Sequence, residues 1–325
     1  MTVSIRELSV EQPETVIEVL PLFQAGVAAD APHHPEPTES FLRWLNGPRT
    51  TAHDVCLVAY DGGRPVGYGC LKHENDSNQD MVYGDIWISP DRRAEATVPL
   101  LDAYKEYTRR RGAARLVLGT TEFSDYDAVF AAEGARRMSG ELRSQLDLAK
   151  IDHEQYAAWA APSEKNAHYR IELWKTPTPE HLLAAFLTAN EAMRDAPHGD
   201  LDFELAPLEV DRRRRVEADD LAVGAQMSII AALTEGGEVA GFHEVYVFPG
   251  YRMVEVRNTG VPKKFRGHGL GLRLKTAMTL HLLTREPQAD VIATWNDSDN
   301  LPMLRVNREM GFEKAEAWSN WQFDL

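Results

Sequence analysis

The predicted order of helices and strands occurs twice along the chain, and this duplication constrains the fold more than any other feature. Each half begins with a strand and two helices, continues with three strands, and ends with a helix, a strand, a helix and a strand. A hairpin turn signal falls at the same place in both halves, Asp-Gly-Gly at 61–63 and Glu-Gly-Gly at 235–237. A period of about 160 residues is far longer than the repeat of a solenoid and indicates two copies of one domain.

A chain of 325 residues agrees with two domains of ordinary size. The alternation of helices and strands predicts an α/β fold, with the first copy at 1–150 and the second at 166–325. Residues 151–165 are assigned to a linker, because a polar, helix-like stretch there runs into Pro162.

The charge balance excludes two classes of partner. Lys and Arg number 35 against 50 Asp and Glu, which gives a formal net charge of −15. A nucleic-acid binder or a polybasic membrane-surface protein would normally carry a basic footprint, so neither is expected. The sequence has no apolar run of about 18 residues that could span a bilayer. The first ten residues lack the pattern of a signal peptide, and a cytoplasmic location is expected.

Two further patterns are interpreted as structural. Cys56 and Cys70 lie in apolar runs without a CxxC motif, and we expect them to be reduced, buried thiols. The run Arg212 to Arg215 is flanked by acidic residues, which favours a solvated helix face over a nucleic-acid patch.

The stretch VEVRNTGVPKKFRGHGLGLRLKTAM carries the clearest chemistry. A predicted strand ends at Val261, and glycines at 267, 269 and 271 open a helix after a short basic loop. Glycines let a ligand approach the backbone closely, and free amides at a helix start bind anions. A pyrophosphate is the expected occupant. The dinucleotide fingerprint would need glycine where Leu272 stands, and the Walker sequence is absent.

This stretch resembles the GNAT N-acetyltransferase superfamily. The resemblance rests on R-x-x-G-x-G at Arg266, Gly269 and Gly271, and on Asn300 with the helix that ends in Met310-Gly311-Phe312. It implies two tandem GNAT-like domains, each with a mostly antiparallel mixed sheet flanked by helices. It also implies acyl transfer from acetyl-CoA to an amine, without a metal. The residues implied in cofactor binding are Val261, Arg266, Gly267, His268, Gly269, Leu270, Gly271, Asn296, Asn300 and Asn307.

The resemblance also implies a general base, since an ammonium must lose a proton before it can attack a thioester. The family offset of eleven residues before Arg266 falls on Glu255. Glu244 and His243 compete for this role, as does a water relay. Asn307 occupies the position at which the family has a tyrosine that acts as the general acid. An asparagine cannot supply a proton as a phenol does, but it can hydrogen-bond the thiolate sulfur.

The first copy departs from the motif. Its matching loop, WISPDRRAEATVPLL, has Ala94, Glu95 and Ala96 in place of glycines. Side chains there would crowd a pyrophosphate and Glu95 would repel it, so we expect no turnover of acetyl-CoA in this copy.

The acceptor site is implied by the loop between the first two helices of the second copy. Asp195 and Asp200 in this loop, with Glu244 on a strand, are expected to attract a cationic amine. The alternative for Asp195 and Asp200 is that they cap helices or turns. The resulting prediction is an acetyl-CoA-dependent N-acetyltransferase that acts on the primary amine of a small molecule, as a monomer or homodimer. The alternatives are an enzyme similar to mycothiol synthase, an antibiotic-modifying acetyltransferase, and a non-catalytic CoA-binding sensor or scaffold.

Overall fold

The computed structural model describes residues 3–9, 17–195 and 202–325. The chain divides into two compact units. The described residues of the first unit fall within 1–142, 198–207 and 315–325, and those of the second within 143–197 and 208–314. Both units are therefore discontinuous along the chain, whereas the sequence predicts contiguous copies at 1–150 and 166–325. The residues predicted as a linker, 151–165, include a helix, His153–Ala160, that belongs to the second unit.

The first unit contains four α-helices in its described part, and seven strands lie wholly or almost wholly within it. The helices are α1 (Leu20–Asp30), α2 (Glu39–Asn46), α3 (Arg93–Arg110) and α4 (Tyr126–Ala132). The strands are β1 (Ser4–Leu8), β2 (Ala52–Asp61), β3 (Arg64–Glu74), β4 (Met81–Gly84), β5 (Trp87–Ile88), β6 (Arg115–Thr121) and β13 (Glu313–Asp324).

The sheet of the first unit takes its last strand from the C-terminus of the chain. The strand order is β1-β2-β3-β4-β6-β13, with β5 paired to β3. Residues Trp318–Asp324 of β13 pair antiparallel with Arg115–Thr121, along the whole of β6. This pairing satisfies the backbone groups of a strand that would otherwise leave an unpaired edge. Sequence patterning identifies β13 as a strand but contains no signal for the sheet that it joins.

The second unit contains the helices α5 (His153–Ala160), α6 (Glu180–Asn190), α7 (Val210–Ala222), α8 (Leu270–Arg285) and α9 (Leu301–Glu309). Its strands are β8 (Arg170–Lys175), β9 (Gln226–Leu233), β10 (Val239–Val247), β11 (Met253–Gly260) and β12 (Val291–Asp297). Strand β7 (Arg136–Asp147) begins in the first unit and ends in the second. The sheet order is β7-β12-β11-β10-β9-β8.

The two faces of this second sheet are covered by different helices. Val245 and Val256 belong to the same buried cluster as Leu274 and Met278 of α8, and we call this the α8 face. Tyr246 lies on the opposite face, where its hydroxyl donates to Asp220 of α7, and we call this the α7 face. In the described part of this sheet, β11 pairs with β12 in parallel, whereas β8, β9, β10 and β11 pair antiparallel in succession, so the predicted mostly antiparallel mixed sheet is confirmed.

The expectation of two reduced cysteines is wrong. Cys56 and Cys70 oppose each other directly in the antiparallel pair β2–β3, with Cα atoms 4.2 Å apart, and they form a disulfide. Two residues fourteen positions apart meet only because the hairpin register aligns them. The apolar runs around each cysteine carry no trace of that register.

Candidate functional site

A cleft of about 670 Å³ lies in the second unit where β11 and β12 diverge. The strands pair in parallel from Met253 and Val291 to Glu255 and Ala293, and the edges beyond that last pair open into the cleft. Eight of the ten residues predicted to bind a cofactor line it: Val261, Arg266, Gly267, Gly269, Leu270, Gly271, Asn296 and Asn300. One concavity therefore joins the glycine loop to the gap between the strands.

The glycine loop places free backbone amides at the start of α8. Gly267 and Gly269 have φ values of +85° and +73°, a left-handed conformation that residues with side chains rarely adopt. Gly269 caps the helix, so the N–H groups of the first turn remain without intrahelical acceptors. A β-carbon on Gly267 or Gly271 would meet no protein atom within 4 Å, which leaves open space beside this backbone. The arrangement fits an anion such as a pyrophosphate.

Two cations beside this loop are held by one carboxylate. Lys263 Nζ and Arg266 Nη2 each lie 2.8 Å from a carboxylate oxygen of Asp195. The hydrogen bond from Lys263, together with that from Arg266, lowers the pKa of Asp195. Asp195 lines the cleft, but as the partner of these cations rather than as a free acidic rim.

The side of the glycine loop away from the cleft is held by the first residues of the predicted second copy, which directly follow the predicted linker. The Asn166 side chain donates to the carbonyl of His268 at 3.1 Å, and the Tyr169 hydroxyl contacts His268 Nδ1 at 2.6 Å. Arg273 of α8 donates to the Asn166 carbonyl at 2.7 Å. His268 therefore anchors the loop to Asn166 and Tyr169 and does not line the cleft. No local pattern marks Asn166 or Tyr169 as site residues.

The far wall of the cleft comes from β12 and α9. Asn300 caps α9, with its side-chain oxygen accepting from the Met303 amide. Asn307 is 1% exposed and donates to the Asn296 side chain at 2.7 Å. Asn296 lines the cleft and Asn307 does not, so Asn307 positions Asn296 from behind.

A β-bulge shapes the strand that carries the predicted base. Val256 pairs with Val245 and Asn258 pairs with Glu244, which leaves Arg257 as the extra residue. Tyr246 pairs with Glu255 and also contacts Arg257, so both side chains lie on the α7 face. Arg257 and Asn258 line the cleft, and Glu255 lies just outside its lining.

The predicted acceptor residue Glu244 is fully buried and already paired. Its two carboxylate oxygens accept from Arg213 at 2.8 Å and from Asn258 at 3.1 Å. Arg213 in turn donates to Glu217 at 2.9 Å. The interpretation of Arg212 to Arg215 as a solvated face is therefore wrong for Arg213, which is 8% exposed. Asp200, the third predicted acceptor residue, lies outside the described residues.

His243 lies on the α8 face of β10, away from Glu244. Its Nδ1 contacts the Thr259 hydroxyl at 2.8 Å, and Thr259 lines the cleft. Burial, with the nearby charge of Lys275, holds the pKa of His243 well below its ordinary value. The Lys275 ammonium is itself buried, and none of the described residues accepts a hydrogen bond from it; burial lowers its pKa to about 8.

The corresponding loop of the first unit is closed by its own ion pairs. Helix α3 begins at Arg93, so Ala94, Glu95 and Ala96 are its first residues after that arginine. Arg93 is paired with Asp30, which is 2% exposed, and with Asp125 at 2.8 Å. Burial raises the pKa of Asp30 to about 6, against the opposing effect of Arg93.

The sequence model of the acetyltransferase (GNAT) family matches residues 17–132 and 190–312. The chain belongs to this family. The two matched segments cover well over half of the chain, one in each half, so the protein is a tandem GNAT acyltransferase with the predicted mixed α/β fold. A search of curated proteins gives no significant match.

Solved structures extend the comparison over the whole chain. A tandem GNAT protein from the clavulanic acid biosynthesis pathway, without acetyl-CoA, has a TM-score of 0.82 and 25% identity over 99% of this chain and 98% of that one. A GCN5-related N-acetyltransferase from Sphaerobacter thermophilus has a TM-score of 0.70 and 16% identity, covering 99% and 95%. N-myristoyltransferase from Saccharomyces cerevisiae, with bound myristoyl-CoA, gives 0.60 and 10%, covering 99% and 80%.

Within residues 3–9, 17–195 and 202–325, the helices are too short or too polar for one of them to cross a membrane. The same residues contain no cluster of three or more His, Cys, Asp or Glu side chains arranged to hold a metal ion.

Proposed function

We propose that the second unit transfers an acetyl group from acetyl-CoA to the primary amine of a small molecule. The observation that carries this proposal is the single cleft that runs from the left-handed glycine loop to the diverging ends of β11 and β12. In the reaction a C–N bond forms and the C–S bond of the thioester breaks. The ammonium loses one proton before the attack and a second as the amide forms, both passing through the base to solvent, and CoA departs as the thiolate.

The glycine loop would hold the pyrophosphate of CoA. Backbone amides from Gly267 to Gly271 would donate to its oxygens, and the open space beside Gly267 and Gly271 admits them. Lys263 and Arg266 would add charge after releasing Asp195. The free edge of β11 near Val261 would bind the amides of the pantetheine arm, with Asn296 and Asn300 on the opposite wall.

Glu255 is the base that we propose for the amine proton. Its side chain lies on the same face as the cleft residue Arg257, two positions further along β11. Glu244 is less suited, because it is fully buried on β10, one strand further from the gap between β11 and β12. His243 lies on the other face and has a depressed pKa.

No acid is required for the leaving group. Asn307 is used in holding Asn296 and does not reach the cleft. A thiol of pKa about 8.5 leaves as a thiolate at neutral pH at tolerable cost. Asn296 can donate a hydrogen bond to the departing sulfur.

The first unit is proposed not to turn over acetyl-CoA. The charge of Arg93 is already neutralised by Asp30 and Asp125, and the buried pair with Asp30 is costly to separate. Its loop also lacks the glycines that would let a phosphate approach the backbone.

Release of free thiol from acetyl-CoA in the presence of a panel of amines tests this function. Gly269→Val alters the loop of the second unit and Glu95→Gln the corresponding loop of the first. Turnover that is lost in the former and kept in the latter supports an active second unit. Tight binding of CoA without turnover across the panel would favour the sensor or scaffold instead.

A further inference from the structure

The acceptor end of the cleft carries a cation that the phosphate loop does not use. Arg257 and Asn258 both point to the α7 face because the bulge at this position adds one residue to β11. Lys263 and Arg266, the two cations proposed for the phosphate site, follow Val261 in the sequence and lie beyond the end of β11. Arg257 therefore belongs to the end of the cleft where the acyl group meets its acceptor.

The Arg257 guanidinium is held in place without a direct ion pair to any described residue. Its Nη1 donates to the Tyr246 hydroxyl at 2.7 Å and contacts the Met227 sulfur of β9 at 3.3 Å, and the Tyr246 hydroxyl donates to the buried Asp220 carboxylate at 2.9 Å. In the part of the chain that the structure describes, no carboxylate forms an ion pair with Arg257 within 4.0 Å. Burial acts to lower the pKa of Arg257, but Tyr246, Glu244 and Asp220 outweigh it and raise the pKa above its ordinary value. The group stays charged, with donors to spare.

A buried network of hydrogen bonds holds the neighbouring Asn258. Its amide donates to Glu244, which accepts from Arg213, and Arg213 donates to Glu217. Glu217 also accepts from the Thr178 hydroxyl at 2.5 Å. Burying such charges costs stability unless each is paired, and apolar side chains would often fill the same space at no loss. This buried network is best explained by what it fixes, the position of Asn258, which lines the cleft next to Arg257.

Part of the cleft wall is apolar. Trp295 lies two residues after Ala293, which pairs with Glu255, so alternation places its ring on the same face as Arg257. Trp295 and Met193 both line the cleft.

We infer that the amine acceptor carries a carboxylate, which Arg257 and Asn258 bind while the amine lies toward Glu255. A guanidinium with free N–H groups matches the two oxygens of a carboxylate, and an adjacent amide adds a third donor. The apolar wall fits a hydrocarbon or aromatic substituent. The substrate class is thus an amino acid or a related amine-bearing acid. This inference rests on the proposed function and reverses the sequence expectation of an acidic acceptor rim.

The test compares amino acids with their uncharged amides as acceptors, using thiol release from acetyl-CoA. The panel pairs glycine, β-alanine, leucine and phenylalanine with the corresponding amides. The wild type is expected to have a higher kcat/KM for at least one acid than for its amide. Arg257→Gln should lower kcat/KM for that acid by roughly 10- to 100-fold and for the amide by clearly less, because the neutral amide loses a hydrogen bond but no charge pairing. Tyr246→Phe, which keeps the ring, should give a smaller loss that is likewise greater for the acid than for the amide.

Arg252→Gln is the matched control. Arg252 directly precedes β11 and is ion-paired with Asp290, outside the cleft lining. Its substitution should leave both acceptor classes unchanged. Equal, measurable rates for acids and amides overturn the inference alone, whereas no thiol release with any acceptor while CoA still binds contradicts the proposed function and the inference with it. A preference for succinyl-CoA with amides would assign the carboxylate to the acyl donor and also overturn it. Calorimetric CoA binding on the same samples separates these outcomes from failure of the proposed function.

Discussion

Replacing Gly271 with alanine should stabilise the protein and weaken its binding of CoA. Gly271 is the second residue of α8, outside the left-handed region, and a β-carbon there would meet nothing within 4 Å. Alanine is favoured over glycine in a helix by about 0.5–1 kcal/mol, so the free energy of unfolding should rise by up to that amount. The same methyl group would occupy the space proposed for pyrophosphate.

Loss of one charge-assisted hydrogen bond is worth about 1.5–3 kcal/mol, which raises the Kd for CoA by roughly 10- to 100-fold. Urea unfolding measures the first effect and calorimetry the second. Gly236→Ala is the control, because Gly236 lies in a hairpin turn away from the cleft and has ordinary van der Waals space. A stabilised Gly271→Ala protein with unchanged CoA affinity would refute the placement of the phosphate.

Three further predictions concern single side chains. Glu255→Gln should lower kcat and remove the acidic limb of the pH–rate profile, whereas an unaltered profile would exclude Glu255 as the base. Asp195→Asn should tighten CoA binding several-fold in calorimetry, because Lys263 and Arg266 no longer have to leave a carboxylate; weaker binding would contradict this. Lys275 has a pKa of about 8 in the folded state and 10.5 ordinarily, so the unfolded chain binds more protons between these values and stability rises with pH there. Lys275→Met should therefore raise the free energy of unfolding by up to about 3 kcal/mol at pH 7, an advantage that disappears by about pH 10.5 in urea titrations.

The conformation of the glycine loop could be predicted from sequence because its determinants are local. Gly267 and Gly269 are needed for backbone conformations within a few residues, and the helix start follows directly. The duplicated order of elements was accessible for the same reason, since each helix or strand has its own periodicity.

The acceptor end depends on register between strands, which local patterns do not encode. Arg257 and Asn258 face the same way only because of a bulge against β10. The local sequence predicts Arg213 to be one of four solvated arginines, because its partner Glu244 comes from a different element of the fold. The disulfide and the placement of β13 have the same origin, since both require a partner strand distant in sequence.

The stoichiometry of CoA binding tests the central claim most directly. Calorimetric titration of the full chain is predicted to give one CoA per chain, with binding lost in Gly269→Val and retained in Glu95→Gln. Two molecules per chain, or undiminished binding by Gly269→Val, would contradict a single phosphate site in the second unit.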